Sequence, residues 1–282
     1  MYGTDGPGGL ASSSNQMDDL EHFGDVGSLD DNVESFLSSH HDDGDGRDIF
    51  AALKRSPTEH NLEPSKGFTF NEAGCNRTST NKVVCCHFSS DGKILASAGH
   101  EKKAILWNME TLQTESTPED HSLIITDIRF RPNSMQLATS SFDRTVRLWN
   151  AAEPSYCLNT FTGHSSQVTS IDFHPKKTDL LCSCDGTGEI RLWNVSQYSC
   201  SRVSKGGSAQ VRFQSRIGRL LAAASENVVT IFDVETDTKT LSLQNHAKEV
   251  ISVCWDNNGE FLASVSQDSV KVWSLVSGEC IH

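Results

Sequence analysis

Arg147-Leu148-Trp149-Asn150 closes a short apolar strand, and the chain repeats this ending four more times. The other copies are Ile105-Leu106-Trp107-Asn108, Arg191-Leu192-Trp193-Asn194, Thr230-Ile231-Phe232-Asp233 and Lys271-Val272-Trp273-Ser274. Successive aromatic residues of these endings lie 42, 44, 39 and 41 positions apart. A period of about 40 to 45 residues with an aromatic-terminated strand is typical of a four-stranded propeller blade. The repeat therefore predicts an all-β propeller with five recognisable blades.

Each repeat is predicted to contain three strands and then a fourth after the aromatic residue. In the third repeat the first three strands are predicted at 168–173, 180–183 and 189–193. Turn-forming residues separate the strands, as hairpins require. We place the propeller at residues 67–282, with blades centred on 82–108, 124–150, 167–194, 207–233 and 249–274.

The first 66 residues differ in composition from the repeats. They carry 14 acidic and 4 basic side chains, whereas the whole chain has a net charge of -13. They also contain too few large apolar residues to offset the entropy of ordering the chain. We therefore expect residues 1–66 to be a disordered acidic tail rich in Gly, Ser and Asp. Two amphipathic stretches in it, 30–37 and 48–55, resemble segments that fold onto a partner, with a solvated linker as the alternative.

Composition disfavours several classes of function. The sequence has no apolar run long enough for a membrane helix and no secretory signal in its first 25 residues, so we expect no membrane association. The acidic balance disfavours direct nucleic acid binding. Cys182 and Cys184 lack a second Cys/His pair at ligand spacing, so we expect no metal or cofactor and free thiols at all nine cysteines.

The repeats resemble the WD-repeat propeller family over residues 67–282. The resemblance implies a buried set in each blade: His before the first strand, Ser or Thr on the second, Asp in the next turn and Trp on the third. Such polar groups each need a partner when they are buried. The matching residues are His121, Thr139, Asp143 and Trp149 in the second blade, His164, Ser183 and Trp193 in the third, and His246, Ser264, Asp268 and Trp273 in the fifth.

The set is incomplete in the other positions. Thr187 stands where the third blade should have Asp, and the first repeat lacks the His and offers Glu101. The fourth repeat has Gly206-Gly207 in place of His and Phe232 in place of Trp. We expect the first and fourth blades to rely more on apolar packing. A Ser/His/Asp trio also suggests a hydrolase, but since the set repeats with the blade we interpret it as structural.

The number of strands predicts an unusual ring. Five strand triplets are accompanied by six outer strands, which begin with 68–78 and end with 278–282. In the usual closure of the family, the amino-terminal outer strand completes the last sheet and removes both exposed edges. Because 68–78 has no triplet of its own to join, we expect an incomplete seven-bladed ring, an open arc of five blades. A closed five-bladed ring with a surplus strand is the alternative.

Several stretches also resemble the plant Groucho-type transcriptional corepressors. They are 18–24 through 34–37, 66–72, 85–93 and 261–266, in both tail and repeats. The resemblance implies a nuclear protein that adaptor proteins and transcription factors bring to promoters. It also implies recruitment of histone deacetylase or Mediator components. The family's amino-terminal dimerising domain and glutamine-rich region are not recognisable in this sequence.

In the WD-repeat family, partners often bind the face with the loops before the first strands and between the second and third strands. Alignment of the repeats places there Lys82, Val84, His100, Ile124, Thr126, Phe142, Gln167, Thr169, Glu249 and Ile251. Phe142 and Ile124 would form an apolar patch on a polar rim, and exposed aromatic residues are frequent anchors. Packing of Phe142 into the central channel is the alternative.

The sequence therefore favours a non-enzymatic interaction platform that acts as a transcriptional corepressor. A WD-repeat substrate receptor or scaffold of a cullin-type ubiquitin ligase is the alternative. That class usually has Arg or Lys two residues after the Asp of the Trp-Asp pair, where this chain has Glu110, Ala152, Ser196, Glu235 and Val276. An enzyme built on a propeller is a third class, but no phosphate loop or convergent carboxylate pair is visible outside the blade pattern.

Overall fold

The computed structural model describes residues 81–282. The predictions for the tail 1–66, its two amphipathic stretches and the outer strand 68–78 lie outside the described residues. The described part confirms the all-β prediction, since its 19 strands form five antiparallel sheets and residues 81–282 contain no helix. It follows that no helix in this part of the chain could cross a membrane.

Each sheet is a meander in which strands adjacent in the chain pair with one another. The first sheet contains β1 (Val83–Phe88), β2 (Ile94–Gly99), β3 (Ile105–Asn108) and β4 (Thr114–Ser116). The second contains β5 (Ile125–Phe130), β6 (Gln136–Ser141), β7 (Val146–Asn150) and β8 (Asn159–Phe161). The third contains β9 (Val168–Phe173), β10 (Leu180–Asp185), β11 (Glu189–Asn194) and β12 (Ser199–Lys205). The fourth contains β13 (Gln210–Phe213), β14 (Leu220–Ser225), β15 (Val228–Asp233) and β16 (Thr238–Gln244).

The fifth sheet contains β17 (Val250–Trp255), β18 (Phe261–Ser266) and β19 (Val270–Ser274). Residues 279–282 run beside β19, with an isolated bridge between Trp273 and Cys280. Hydrogen bonds between Val272 and residues 281 and 282 continue this pairing. The five sheets are the five blades that the sequence predicts.

Burial along the strands shows how the sheets are stacked. The second strands β6 and β10 are buried over five of their six residues, because neighbouring sheets cover both of their faces. The outer strand β12 instead alternates between exposed and half-buried residues. Apolar residues without alternation therefore mark the middle of a blade, and alternation marks its outside.

Four apolar clusters fill the four interfaces between consecutive sheets. In the first interface, Leu106 of the first sheet packs with Ile128, Phe130 and Trp149 of the second. Full burial of one such side chain contributes about 1.5–3 kcal/mol to the hydrophobic free energy of folding. Stacking of sheets thus supplies the core that one four-stranded sheet could not form by itself.

Polar side chains also link the inner strands of adjacent blades. In each case a side chain of one blade accepts a hydrogen bond from a backbone N–H of the next. The N–H groups bind as follows: Phe130 to His87 Nδ1 (3.1 Å), Ile171 to Asp127 Oδ2 (3.2 Å), Phe213 to Asp172 Oδ2 (2.8 Å) and Val253 to Gln210 Oε1 (2.7 Å). These bonds satisfy inner-strand donors that have no partner within their own sheet.

Arg212 on β13 joins three blades at this inner surface. Its Nη1 donates to Asp127 Oδ2 at 2.9 Å, to Ser170 Oγ at 2.8 Å and to the carbonyl of Ile171 at 3.0 Å. Burial by itself would raise the pKa of the Asp127 carboxyl, but the charges of Arg212 and Arg129 hold it below its ordinary value. The buried carboxylate is therefore ionised and paired.

Among residues 81–282, a neighbouring sheet covers the first and last blades on one face only. Val83 and Phe88 on β1 are each 52% exposed, and Val270 on β19 is 63% exposed. Inner strands pack closely in the order β1–β5, β5–β9, β9–β13 and β13–β17, and within residues 81–282 β17 and β1 are not such a pair. The five blades thus form an open arc. That this arc is part of a seven-bladed ring stays a prediction.

Candidate functional site at the upper edge of the blades

We define the upper edge as the loops before the first strands together with the turns between the second and third strands. Within a blade these two segments are joined by a backbone hydrogen bond. The N–H of Phe142 donates to the carbonyl of Ile124 at 3.1 Å, and Gly186 donates to Gln167 at 3.0 Å. In the first blade, His100 donates in the same way to the carbonyl of Lys82 at 3.1 Å. The bond recurs at matching positions in the first three blades, so the two segments of each of these upper edges are paired.

A buried side-chain network fastens the upper edge of the second blade. His121 Nδ1 lies 2.8 Å from Asp143 Oδ2, and His121 Nε2 lies 2.8 Å from Thr139 Oγ1. The Trp149 indole N–H donates to the same hydroxyl at 2.9 Å. Asp143 also accepts from the hydroxyl of Thr145 at 2.6 Å. The loop before β5, the turn after β6 and the strand β7 are thereby held in one arrangement.

Asp143 is the anionic end of this network. Partial burial opposes its ionisation, but hydrogen bonds from His121 and Thr145 hold the pKa of its carboxyl well below the ordinary value. The carboxylate also accepts the backbone N–H of Ser122 at 3.1 Å. Its role is to orient the imidazole and the loop before β5.

The network of the third blade corrects one prediction. The carboxylate beside His164 belongs to Asp185, with Nδ1 to Oδ2 at 3.1 Å, and not to the turn position of Thr187. Asp185 also accepts from the N–H and hydroxyl of Thr187, at 3.0 and 2.7 Å. His164 Nε2 is 2.6 Å from Ser183 Oγ, which accepts the indole N–H of Trp193 at 2.8 Å. The acid comes from the end of β10, two residues before the expected turn position.

The fifth blade departs from the pattern in another way. His246 Nε2 lies 2.7 Å from Ser264 Oγ, which accepts the indole N–H of Trp273. Its Nδ1, however, contacts the hydroxyls of Ser266 and Ser269, each at 3.1 Å. Asp268 accepts hydrogen bonds from these two hydroxyls at 2.7 and 3.2 Å. Asp268 therefore acts on the imidazole through intervening hydroxyl groups and not as its direct acceptor.

The first and fourth blades lack the His of the pattern and are held by other contacts. In the first blade the indole of Trp107 still donates to Ser97 Oγ at 2.9 Å. In the fourth blade Phe232 is buried in the apolar cluster beside the third sheet, and Gly206 passes so close that a Cβ there would lie 3.0 Å from the phenyl ring. Gly206 also has a φ of +132°, which disfavours any other residue. In that blade the backbone of Gly206 packs against Phe232, where other blades have an imidazole beside an indole.

The geometry does not suit nucleophilic catalysis by these trios. The hydroxyl-bearing residues Thr139, Ser183 and Ser264 are completely buried, so a substrate carbonyl has no path to them. Each hydroxyl oxygen also accepts an indole hydrogen bond, which occupies a lone pair that a nucleophilic oxygen would use. The trios hold the blades together.

One set of side chains has the spacing of metal ligands. His164, Asp185 and Glu189 bring three ligand atoms within 4.8 Å of one another. Arg191 Nε already donates to Glu189 Oε1 at 2.6 Å, and the imidazole is bonded to Ser183 and Asp185. A guanidinium occupies the cationic position of this set, so the residues fit an ion pair better than a metal.

The candidate partner-binding residues differ in their exposure. Lys82 and Glu249 are exposed, and His100, Ile124, Thr126, Phe142, Gln167 and Ile251 are half-buried. Thr169 is only 7% exposed, which corrects the expectation that it lies on the surface. Its hydroxyl donates to the carbonyl of Ser208 in the next blade at 2.9 Å, as Thr126 donates to Val168 at 2.7 Å. Both threonines link blades.

Exposed apolar residues at the upper edge extend beyond those that the sequence indicated. Leu123, next to Ile124, is 48% exposed, and Val83 at the start of β1 is 52% exposed. Val84, which the sequence indicated, is 37% exposed. Leu123 was missed because it precedes the strand, where the alternation of side chains gives no direction. Its apolar character in an otherwise polar loop was the available signal.

Comparison with known proteins places these features in a family. The family model described as WD domain, G-beta repeat matches residues 73–108, 112–150, 155–194 and 237–274. The unmatched interval contains the first three strands of the fourth blade, which lacks both the His and the Trp of the pattern. The chain is similar to the transcriptional corepressor LEUNIG_HOMOLOG of Arabidopsis thaliana, with 61% identity over 285 residues that cover 100% of this chain and 36% of that protein.

Two more distant relatives show how widely the repeat is used. Pre-mRNA-processing factor 19 homolog 2 of Arabidopsis thaliana is 30% identical over 70% of this chain and 39% of its own length. The GATOR2 complex protein Wdr59 of Drosophila melanogaster is 28% identical over 68% of this chain and 21% of its own length. The chain thus spans between a fifth and two fifths of the length of these relatives. Repeat spacing, blade architecture and the family match together show that the chain belongs to the WD40 repeat family.

Proposed function

We propose that this chain is a non-enzymatic protein-interaction platform of a transcriptional corepressor, and that it binds partners through the upper edge of its blades. The observation that carries the proposal is the upper edge of the second blade, where a buried network fastens the loop that exposes Leu123. Rigid loops lose little entropy on binding, so their exposed side chains are suited to partner recognition. The corepressor role rests on the similarity to LEUNIG_HOMOLOG.

Ile124 and Phe142 form the centre of the proposed contact surface. The backbone bond between them places the two residues on one edge, and Leu123 next to Ile124 is exposed there. Apolar and aromatic anchors of this kind contribute most of the free energy in many interfaces. Charged groups such as Lys82 and Glu249 lie on the same edge of other blades and would form the polar rim.

The partners proposed are transcription factors and adaptor proteins that recruit the corepressor, with histone deacetylase or Mediator components as further members of the assembly. The site of action is the nucleus. The upper edges carry mixed charge around apolar side chains, which suits a protein partner better than a phosphate backbone. Direct binding to nucleic acid or to a membrane is not part of the proposal.

The ubiquitin-ligase alternative is not favoured. Among the described residues, the five positions after the strand-ending pairs carry Glu110, Ala152, Ser196, Glu235 and Val276, without the expected basic side chain. A platform function needs none of these positions to be basic.

The experiment that tests the proposal is capture of nuclear proteins from an Arabidopsis extract by the full chain, with identification by mass spectrometry. The wild-type chain is expected to retain transcription factors or adaptor proteins. The double variant Ile124→Ala/Phe142→Ala should lose them by about tenfold or more, since two anchors of about 1 kcal/mol or more are removed.

A matched control replaces two exposed apolar residues away from the upper edge, Val203→Ala/Ile217→Ala, which are 49% and 47% exposed. The control variant should capture the same proteins as the wild type, and circular dichroism should be the same for all three chains. Equal capture by the upper-edge variant, or a captured set without transcription regulators, would refute the proposal.

A further inference from the structure

A groove of about 520 Å³ opens between the first and second blades, at the opposite edge from the one described above. Its apolar walls are Ile94, Leu106, Leu112 and Met135, and Glu115 lies along one side. The backbone of Ala151 and Ala152 forms its far end. A groove with a matching position in its blades lies elsewhere in the molecule.

The counterpart lies between the third and fourth blades, where the remaining cavity is only about 10 Å³. The strand pairings show that the two places match. Leu106 on β3 is opposite Glu115 on β4, and Leu192 on β11 is opposite Arg202 on β12. Glu115 and Arg202 therefore occupy the same position in their blades.

Arg202 fills its groove and binds the backbone of the next blade. Its Nη1 donates to the carbonyl of Val234 at 2.7 Å, and its Nη2 donates to the carbonyl of Glu235 at 3.3 Å. The long aliphatic part of an arginine side chain packs on apolar walls while the guanidinium reaches polar groups. The interface between the third and fourth blades thus shows how an arginine side chain fills a groove of this type.

The same backbone acceptors are present in the empty groove. Ala151 matches Val234, because the N–H of each binds the residue before its second strand, Met135 and Arg219, at 2.7 and 2.9 Å. Ala152 follows Ala151 as Glu235 follows Val234. Of the residues that the structure describes, none donates a hydrogen bond to the carbonyls of Ala151 and Ala152.

In the other two interfaces the position carries Asn159 on β8, opposite Leu148, and Leu241 on β16, opposite Ile231. Leu241 packs against the apolar cluster between the fourth and fifth blades. In the first blade the position carries a carboxylate, which points to a cation as the missing occupant. Glu115 belongs to an exposed strand and forms no ion pair with any of the described residues.

We propose that the groove between the first and second blades binds the arginine side chain of a partner protein. The guanidinium donates to the carbonyls of Ala151 and Ala152 and pairs with Glu115, while its aliphatic stem packs against Leu106 and Met135. Arginine suits the site better than lysine because its planar fork can donate to two carbonyls at once. The surface is separate from the upper edge, so failure of one proposal leaves the other standing.

The first test uses the chain's own arginine segment as probe. A synthetic peptide of residues 201–204 (Ser-Arg-Val-Ser, capped at both ends) is titrated into the full chain labelled with ¹³C at its methionine methyl groups. The chain has four methionines, and Met135 lines the groove. The Met135 signal, assigned through Met135→Leu, should shift with the peptide and saturate.

A peptide with citrulline in place of arginine keeps the shape and removes the charge. It should bind about tenfold more weakly, because charge-assisted hydrogen bonds are roughly twice as strong as neutral ones. An unmoved Met135 signal with the arginine peptide, or equal binding of the citrulline peptide, would overturn the proposal.

The second test fills the groove from within. Glu115→Arg should place a guanidinium where Arg202 lies in the third blade, raise Tm by about 2–4 °C and prevent the peptide from moving the Met135 signal. Glu260→Arg makes the same change of charge at an exposed site of the fifth blade and should do neither. If Glu115→Arg still binds the peptide as the wild type does, the groove is not the arginine site.

Discussion

Replacement of Arg212 by Met should destabilise the protein by several times more than replacement of an exposed arginine. Arg212 is nearly buried, with only 12% of its side chain exposed, and its Nη1 binds groups in three blades. Methionine preserves much of the side-chain volume, so the loss is mainly electrostatic. The change leaves the Asp127 carboxylate, 6% exposed, without its closest cation.

The magnitude follows from the state of Asp127 in the variant. Breaking a buried ion pair by removal of one partner costs about 3–5 kcal/mol, because the other charge stays buried. Arg129 Nε, 3.3 Å from Asp127 Oδ1, offsets part of this cost and places the expected value near the lower end. For a domain of this size, about 3 kcal/mol corresponds to a fall in Tm of about 6–12 °C.

Thermal unfolding followed by circular dichroism measures the difference. Arg216→Met is the matched control, since Arg216 is exposed and contacts only Asn258 at 3.3 Å among the described residues. That variant should lie within about 0.5 kcal/mol of the wild type. If Arg212→Met were no less stable than Arg216→Met, the idea that an ionic link across three blades stabilises the arc would be refuted.

Three further predictions concern single residues of the blades. Asp185→Ala should lower the free energy of unfolding by about 2–4 kcal/mol, because several buried donors lose their acceptor, whereas Thr187→Ala should lower it by at most about 1 kcal/mol. Urea unfolding of both variants measures the difference, and a larger loss for Thr187→Ala would support the turn position that the sequence indicated. Burial lowers the pKa of His87 to about 4 from its ordinary 6.5. The stability that neutral His87 contributes is therefore complete above pH 6.5 and is lost as pH falls toward 4, by at most about 3 kcal/mol. His87→Gln should flatten this pH dependence in urea midpoints taken between pH 7 and 4, and an unchanged slope would contradict the assignment. Gly206→Ala should lower the free energy of unfolding by about 1–3 kcal/mol, since the φ of Gly206 is +132° and the new methyl group would press on Phe232. An unchanged Tm would show that the close packing there is dispensable.

The blades themselves were predictable from the sequence. A buried Trp lies at the end of four of the five third strands. The alternation of apolar and polar residues before it indicates the register of the hairpins. The first strand of the third blade, Val168–Phe173, has the bounds that the pattern predicts. Local pattern was sufficient here because strand pairing within a blade is local in the chain.

Relations between side chains from different segments were less predictable. The acid of the third blade could not be placed by spacing, since Asp185 reaches the imidazole from the end of a strand and not from the turn. Thr169 faces the next blade, and this depends on how the sheets stack. The link from Arg212 to Asp127 joins residues 85 positions apart, which no periodicity reveals.

The central claim is that the chain works by presenting the upper edge to protein partners. The most direct measurement is hydrogen–deuterium exchange of the full chain with and without a transcription factor that it captures. We predict slower exchange in 99–104, 122–126 and 141–146 at the upper edge, and unchanged exchange in the opposite turns 174–179 and 214–219. Protection confined to those opposite turns, with the upper-edge segments exchanging as in the free chain, would contradict the account.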